Sequence, residues 1–203
     1  MDNVQLLNRL FDVIEQDILP KTRAGVAQGN KIFGAAILKK SDLSTLVAET
    51  NNEIENPLWH GEVYAIKQLY TMNDRLNLPN PKDCIFLTTH EPCSLCLSAI
   101  TWCGYDNFYY LFSHEDSRDV FNIPHDIKIF NALFGDSEKS RPLYNRVNSF
   151  WHSHNILYMI ESLDHRNEAR ESLGRRINDV SKIYAELSNV YQKNKGEARI
   201  PLA

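Results

Sequence analysis

Three observations predict an α/β layer fold followed by a helical C-terminal region. Short, continuous apolar runs alternate with stretches in which apolar residues recur every three or four positions. From residue 84 onward the pattern reads strand, helix, strand, which calls for crossover connections and parallel later strands. Hydrophobic residues make up 43% and charged residues 24% of the chain, enough apolar side chains to build a buried core.

The elements follow in order. Val4, Leu7, Leu10, Phe11, Ile14 and Ile18 fall at helical spacing, and Pro20 is the expected stop. Ile32–Leu38 is too short and too apolar for a surface helix and reads as a buried strand. A turn at Lys39–Asp42 leads into a second strand over Leu43–Thr50, making a hairpin. After a polar loop, Asn51–Pro57, helical spacing returns at Val63, Ile66, Leu69 and Tyr70, until the stretch Leu76–Asp83, with Pro79 and Pro81, breaks it. Cys84–Thr89 is a third strand, Ser94–Cys103 a helix and Phe108–Phe112 a fourth strand. Tyr144–Ile160 is aromatic-rich and fits helix or strand. Leu173, Ile177, Val180, Tyr184, Leu187 and Tyr191 then form one face of a long helix over 167–193.

The length of 203 residues suits one domain, here divided into a core over 1–136 and a C-terminal helical extension of the same domain over 137–203. The core carries 11 Lys/Arg against 18 Asp/Glu, a balance of −7, and the extension 11 against 8, a balance of +3. An acidic core argues against a nucleic-acid partner, since phosphate binding draws on many basic contacts. No run approaches the roughly 18 apolar residues of a spanning helix. The first twenty residues hold Asp2, Glu15 and Asp17 without an apolar signal stretch. Four cysteines are too few for a disulfide scaffold, so a reduced, cytoplasmic protein is expected, with no membrane partner.

Two motifs carry chemistry. His60-Gly61-Glu62 opens the second predicted helix, and Pro92-Cys93-Ser94-Leu95-Cys96 lies where the third strand gives way to a helix. Cysteines three apart share a helix face, so both sulfurs can reach one ion. A helix N-terminus also favours thiolate. With His60 they form a soft three-ligand set suited to zinc, and three protein ligands leave a position open, as catalytic sites do. Cys103 lies roughly 10 Å further along a continuous helix, at about 1.5 Å per residue, and Cys84 reads as a core thiol. Glu62 can face the open position as a proton shuttle without ligating. A Cys-x-x-Cys alone is shared with redox pairs and zinc knuckles; the His-x-Glu partner separates this sequence from them.

In order and spacing, these motifs resemble the cytidine/deoxycytidylate deaminase superfamily, and most closely its cytosine, guanine and tRNA-adenosine deaminase branch. Phe33-Gly34-Ala35 and Leu87-Thr88-Thr89-His90-Glu91-Pro92-Cys93 extend the resemblance over about residues 1–135. It implies a three-layer α-β-α sandwich with a five-stranded mixed sheet, usually assembled as an oligomer. Zn2+ is the implied cofactor, with His60, Cys93 and Cys96 as ligands and Glu62 as the catalytic residue that takes a proton from water, gives it to a ring nitrogen and then protonates the departing amine.

Substrate contacts are expected from Asn51, with Asn52 as a rival, from Trp59 by stacking, from Phe33, and from Asp116 or Glu115 in the loop after the fourth strand. Tyr144, Phe150 and Trp151 are candidates to cover the pocket. Gly61 stands where the superfamily more commonly has alanine. The expected protein is a homodimeric hydrolase that releases ammonia from a nucleobase, nucleoside or related amino-heterocycle. A tRNA-acting adenosine deaminase and a non-catalytic zinc module are the alternatives.

Overall fold

The computed structural model describes residues 2–72, 77–135 and 142–203. The division between 136 and 137 therefore lies outside the described residues, as does Leu76. Helix α1 (Asn3–Asp12) is capped by Asp2, whose carboxylate accepts the Val4 N–H at 3.3 Å. The chain does not stop at Pro20. Val13–Ile18 widens into a π-helical stretch, the Leu19 N–H reaches back to the Ile14 carbonyl, and α2 (Leu19–Ala27) continues with Pro20 in its first turn. The widened turn runs directly into α2, so Pro20, which has no N–H to give, is accommodated where the π-helical stretch hands over to the α-helix and does not end the helix.

Five strands form one sheet in the order β2-β1-β3-β4-β5. They are β1 (Gly34–Lys39), β2 (Thr45–Thr50), β3 (Cys84–His90), β4 (Asn107–Phe112) and β5 (His152–Asn155). The hairpin partner β2 and the central β3 both run antiparallel to β1, with Ala36 opposite Ala48 on one side and Leu87 on the other. The pair β3–β4 is parallel, as the crossover pattern predicts, and β4–β5 is parallel as well. The strand β5 comes from the C-terminal region, so 137–203 supplies a sheet edge as well as helices. Its residues, His-Ser-His-Asn, carry no apolar alternation.

Alternation along β1 divides the core in two. Ala36 and Leu38 pack with Leu7, Phe11, Ile14 and Tyr184 on one face. Ala35 and Ile37 pack with Ala65, Leu97, Ile100 and Phe130 on the other. The first face is covered by α1, α2, α7 (Ile156–Glu161) and α8 (Glu168–Asn194), the second by α3 (Gly61–Met72), α4 (Ser94–Trp102) and α6 (His125–Phe134), giving three layers. Leu173, Val180, Tyr184, Leu187 and Tyr191 of α8 are buried in the first core. Arg176 pins the same helix to Asp12 at 2.7 Å and Glu15 at 2.8 Å. The apolar stripe of α8 is thus spent within the chain. Among the described residues no helix is long and apolar enough to cross a membrane.

Candidate metal centre and pocket

Two helix starts converge beside the carboxyl end of β3. Antiparallel pairing sets Ala35 opposite Thr88, which brings the first residue of β1, Gly34, next to that end, and Thr89 Oγ1 accepts the Gly34 N–H at 3.0 Å. Helix α3 starts directly over Gly34. A Cβ on Gly61 would lie 2.8 Å from Gly34 Cα and 3.1 Å from its carbonyl carbon, so a side chain there would have to push the two backbones apart. The Gly61 N–H, otherwise an orphan of the helix start, is taken by Asn51 Oδ1 at 2.6 Å. Cys93 is the N-cap residue of α4, and Cys96 follows one turn later, buried.

This geometry brings His60, Cys93 and Cys96 together, their donor atoms all within 4.8 Å of one another. His60 Nδ1 stands 3.4 Å from Cys93 Sγ and 3.7 Å from Cys96 Sγ, and the sulfurs are 3.6 Å apart. A tetrahedral ion at about 2.3 Å from sulfur and 2.0–2.1 Å from nitrogen needs ligand separations of roughly 3.5–3.8 Å. The three atoms form such a triangle, so the donor set fits zinc in both spacing and chemistry. Cys84 is a core thiol bonded to the Asn80 carbonyl, and Cys103 caps the far end of α4.

The electrostatics show how closely these groups are coupled. The hydrogen bond between Cys93 and Cys96 holds Cys93 well below an ordinary thiol against the opposing effect of burial, and His60 adds to it. Burial pushes Cys96 well up. Burial also opposes charge on His60, but the bond to Cys93 and the negative charges of Cys93, Glu62 and Glu53 outweigh it and raise the imidazole to about 9. Glu62, in the first turn of α3, is 5% exposed and accepts from Cys96 Sγ at 3.2 Å. Burial, with Cys93 nearby, lifts its carboxyl to about 7.

The turn before Cys93 is clamped from three sides. The buried Glu91 carboxylate accepts from Tyr144 Oη at 2.6 Å and the His114 N–H at 3.0 Å, and pairs with Arg146 at 3.3 Å. His114 Nε2 lies 3.1 Å from the Pro92 carbonyl. The next residue back, His90, sits fully buried among Phe33, Phe112, Phe121 and Tyr184, with Nδ1 3.0 Å from Thr89 Oγ1.

A cavity of about 270 Å³ opens onto His60 and Cys93. Phe33, Leu58, Leu95, Ile123 and Ile129 give it apolar walls; Lys31, Glu53, His125 and Asp126 give it polar groups; Pro201 and Leu202 close one side. Phe33, one of the expected contacts, is part of this wall. Asn51 stands beside the centre, but its amide is engaged internally, accepting from Gly61 and donating to Glu53 at 2.9 Å. The rival Asn52 bonds to Glu55 on the outside. Trp59 packs on the outer side of α3 against Tyr64 and Lys67, with Nε1 3.3 Å from Glu55, and is absent from the cavity wall.

Asp116 is corrected more sharply. Its carboxylate closes a capping box on α5 (His114–Asp119), accepting from the Ser113 N–H at 2.8 Å and hydroxyl at 2.9 Å. Asp126, ten residues later, does line the wall, together with Glu53; burial and the negative charge of Cys93 raise Asp126 to about 6. Nor do the expected aromatics cover the cavity. Tyr144 and Trp151 pack around Phe108, and the covering residues come from the C-terminal tail. His125, Asp126, Lys31, Glu53, Pro201 and Leu202 stand in no motif, so spacing alone could not single them out.

Residues 12–112 match the family described as the cytidine and deoxycytidylate deaminase zinc-binding region. The chain belongs to the cytidine/deoxycytidylate deaminase superfamily. Guanine deaminase of Bacillus subtilis (strain 168) is 33% identical over 91 residues, 43% of this superfamily member and 54% of the relative, so the match spans about half of that protein. A solved guanine deaminase from Nitrosomonas europaea superposes with a TM-score of 0.50 at 18% identity, covering 81% of each chain, a likeness of fold. The X-ray structure of the Bacillus subtilis enzyme gives 0.49 at 26% identity, covering 73% of this chain and 88% of that one.

Proposed function

We propose that this chain is a zinc-dependent hydrolytic deaminase of a small amino-heterocycle, with a free purine base such as guanine as the first substrate to test. The observation that carries the reading is the triangle of His60, Cys93 and Cys96 with the buried Glu62 beside it. Zinc bound there would supply Lewis acidity and make hydroxide available near neutral pH. Glu62 would take the proton from the attacking water, pass it to the ring nitrogen next to the amidine carbon, and then protonate the exocyclic amine. Water adds at that carbon and the C–N bond breaks, so the amidine becomes a carbonyl and one ammonia leaves. A carboxyl near 7 is suited to serve as base and then as acid.

The pocket supports a single ring system. Its volume of about 270 Å³ falls below the roughly 300–1,000 Å³ of sites for larger ligands. Phe33, Ile123 and Ile129 offer apolar faces for a planar ring, and Asp126 is placed to accept a ring N–H. Asp126 takes over the role expected of Asp116, while Asn51 acts through the start of α3. The guanine deaminase relatives support a purine over a pyrimidine. A small, partly acidic pocket disfavours an RNA loop.

We further infer a cytoplasmic homodimer. Leu95 and Trp102 of α4, with Leu133 and Phe134 of the neighbouring α6, leave apolar side chains exposed, Trp102 at 90%. The deciding assay is ammonia release from guanine, adenine, cytosine, their nucleosides and an RNA stem-loop at two salt concentrations. Turnover confined to free bases supports the reading; a preference for the RNA that falls steeply with salt would replace it with the tRNA alternative.

A further inference from the structure

Glu53 stands outside both motifs, yet three separate parts of the site meet at its carboxylate. It is buried, its side chain only 2% exposed. Oε1 accepts from the Lys31 ammonium at 2.7 Å, and Oε2 accepts from the Lys31 N–H at 3.3 Å and the Asn51 amide at 2.9 Å. Asn51 in turn holds the Gly61 N–H. One side chain thus ties the approach to β1, the loop after β2 and the first turn of α3 into a single hydrogen-bonded unit. With three donors on two oxygens, the Lys31 ammonium among them, the carboxylate is held in place.

The same Oε1 lies 3.9 Å from His60 Nε2. The opposite ring nitrogen, Nδ1, faces both cysteine sulfurs. A neutral imidazole that gives its Nδ1 lone pair to a metal must carry its proton on Nε2, and that proton then points toward Glu53. At 3.9 Å the contact is electrostatic, longer than a direct hydrogen bond of about 2.7–3.2 Å. Burial keeps it stronger than it would be in water. A carboxylate facing the distal nitrogen of a ligand histidine fixes the ring's tautomer and raises its basicity.

We propose that Glu53, locked by Lys31 and Asn51, is a positioning residue for the metal centre: it orients His60 so that Nδ1 is the nitrogen presented to the ion. The proposal rests on reading His60, Cys93 and Cys96 as zinc ligands. It adds a residue that no motif marks and gives the buried Lys31–Glu53 pair a purpose beyond packing.

The test uses the full zinc-loaded chain in four forms: wild type, Glu53→Gln, Lys31→Met/Glu53→Gln, and Cys93→Ser. Zinc affinity is read by competition with a chromogenic chelator, and the His60 tautomer by its ring 15N shifts. Glu53→Gln should weaken zinc about 10-fold, the lower end of the roughly 10–100-fold range for such outer partners. The double variant removes both charges, so it should melt near the wild type. It should nevertheless keep the zinc defect and lose the fixed Nε2–H signature. Recovery of wild-type affinity in the double variant would show that the pair is only structural and overturn the proposal, as would unchanged affinity and ring shifts in Glu53→Gln. Wild-type protein that holds zinc no better than Cys93→Ser would instead overturn the zinc reading itself, and this inference with it.

Discussion

Replacing Gly61 with alanine would put a methyl carbon 2.8 Å from Gly34 Cα and 3.1 Å from the Gly34 nitrogen and carbonyl carbon. These are backbone atoms of a strand paired on both sides, with β2 and β3, so β1 cannot give way as a side-chain tip would. The start of α3 must therefore move. Overpacking of this kind costs about 1–3 kcal/mol. For a chain of this size each kcal/mol lowers Tm by roughly 2–4 °C, so a fall of about 2–12 °C is expected in a thermal melt followed by circular dichroism. Because His60 and Glu62 flank Gly61, the displacement should also reach the site. A misplacement near 1 Å is worth about 10²-fold in rate, and ammonia release should fall on that scale. Gly174→Ala is the matched control: nothing lies within 4 Å of its added Cβ in the middle of α8, and it should gain about 0.5–1 kcal/mol. A Gly61→Ala protein that melts with the parent and turns over at the same rate would refute the argument that glycine is there for the crossing.

Cys93→Ala should strip most of the zinc, since it removes one of three protein donors, whereas Glu62→Ala should retain zinc and lose at least about 10²-fold in turnover; zinc analysis of the two proteins checks the division of roles, and equal zinc loss would contradict it. Burial holds His90 neutral, lowered from 6.5 to about 3, so between those values the unfolded chain binds the extra proton and stability falls as pH falls. At pH 5 the loss is about 2 kcal/mol at roughly 1.4 kcal/mol per unit. Urea unfolding at pH 7 and pH 5 should show this loss in the wild type and not in His90→Phe, and equal losses would sink the assignment. Light scattering should give twice the 23.5 kDa chain mass at micromolar concentration; a monomer mass would rule out the dimer.

The parts of this fold that sequence discloses are those where one local rule acts alone. Ala35–Leu38 alternate between two cores because a strand has period two, and Cys93 and Cys96 share a helix face because a helix turn is about 3.6 residues. What stayed hidden needs two segments at once. Asp116 looked like a pocket carboxylate because it follows the fourth strand, but Ser113 three residues earlier makes it a helix cap. Asp126 reaches the pocket only because α5 turns back into α6, and Pro201 and Leu202 only because α8 returns the tail across the mouth. Pro20 misled for another reason: a π-helical stretch absorbs its missing donor, and no single-residue propensity encodes that. The strand β5 is polar along its length and is recruited by pairing with β4 rather than by an apolar face of its own.

The clamp on Glu91 sets a limit on how small a working version of this protein can be made. His60, Glu62, Cys93 and Cys96 all precede residue 100, and a designer trimming by motif would discard everything after the fourth strand. Such a fragment would lose His114, Tyr144 and Arg146 together, leaving the Glu91 carboxylate beneath the cysteine turn without any of the three residues that hold it. Leaving a buried carboxylate without a partner costs about 3–5 kcal/mol, a large share of the roughly 5–15 kcal/mol that holds a whole domain together. The same cut removes Trp151 from beside Phe108 and strips β4 of its outer neighbour. The smallest autonomous unit therefore extends at least through β5, some forty residues past the point where the recognisable signature ends.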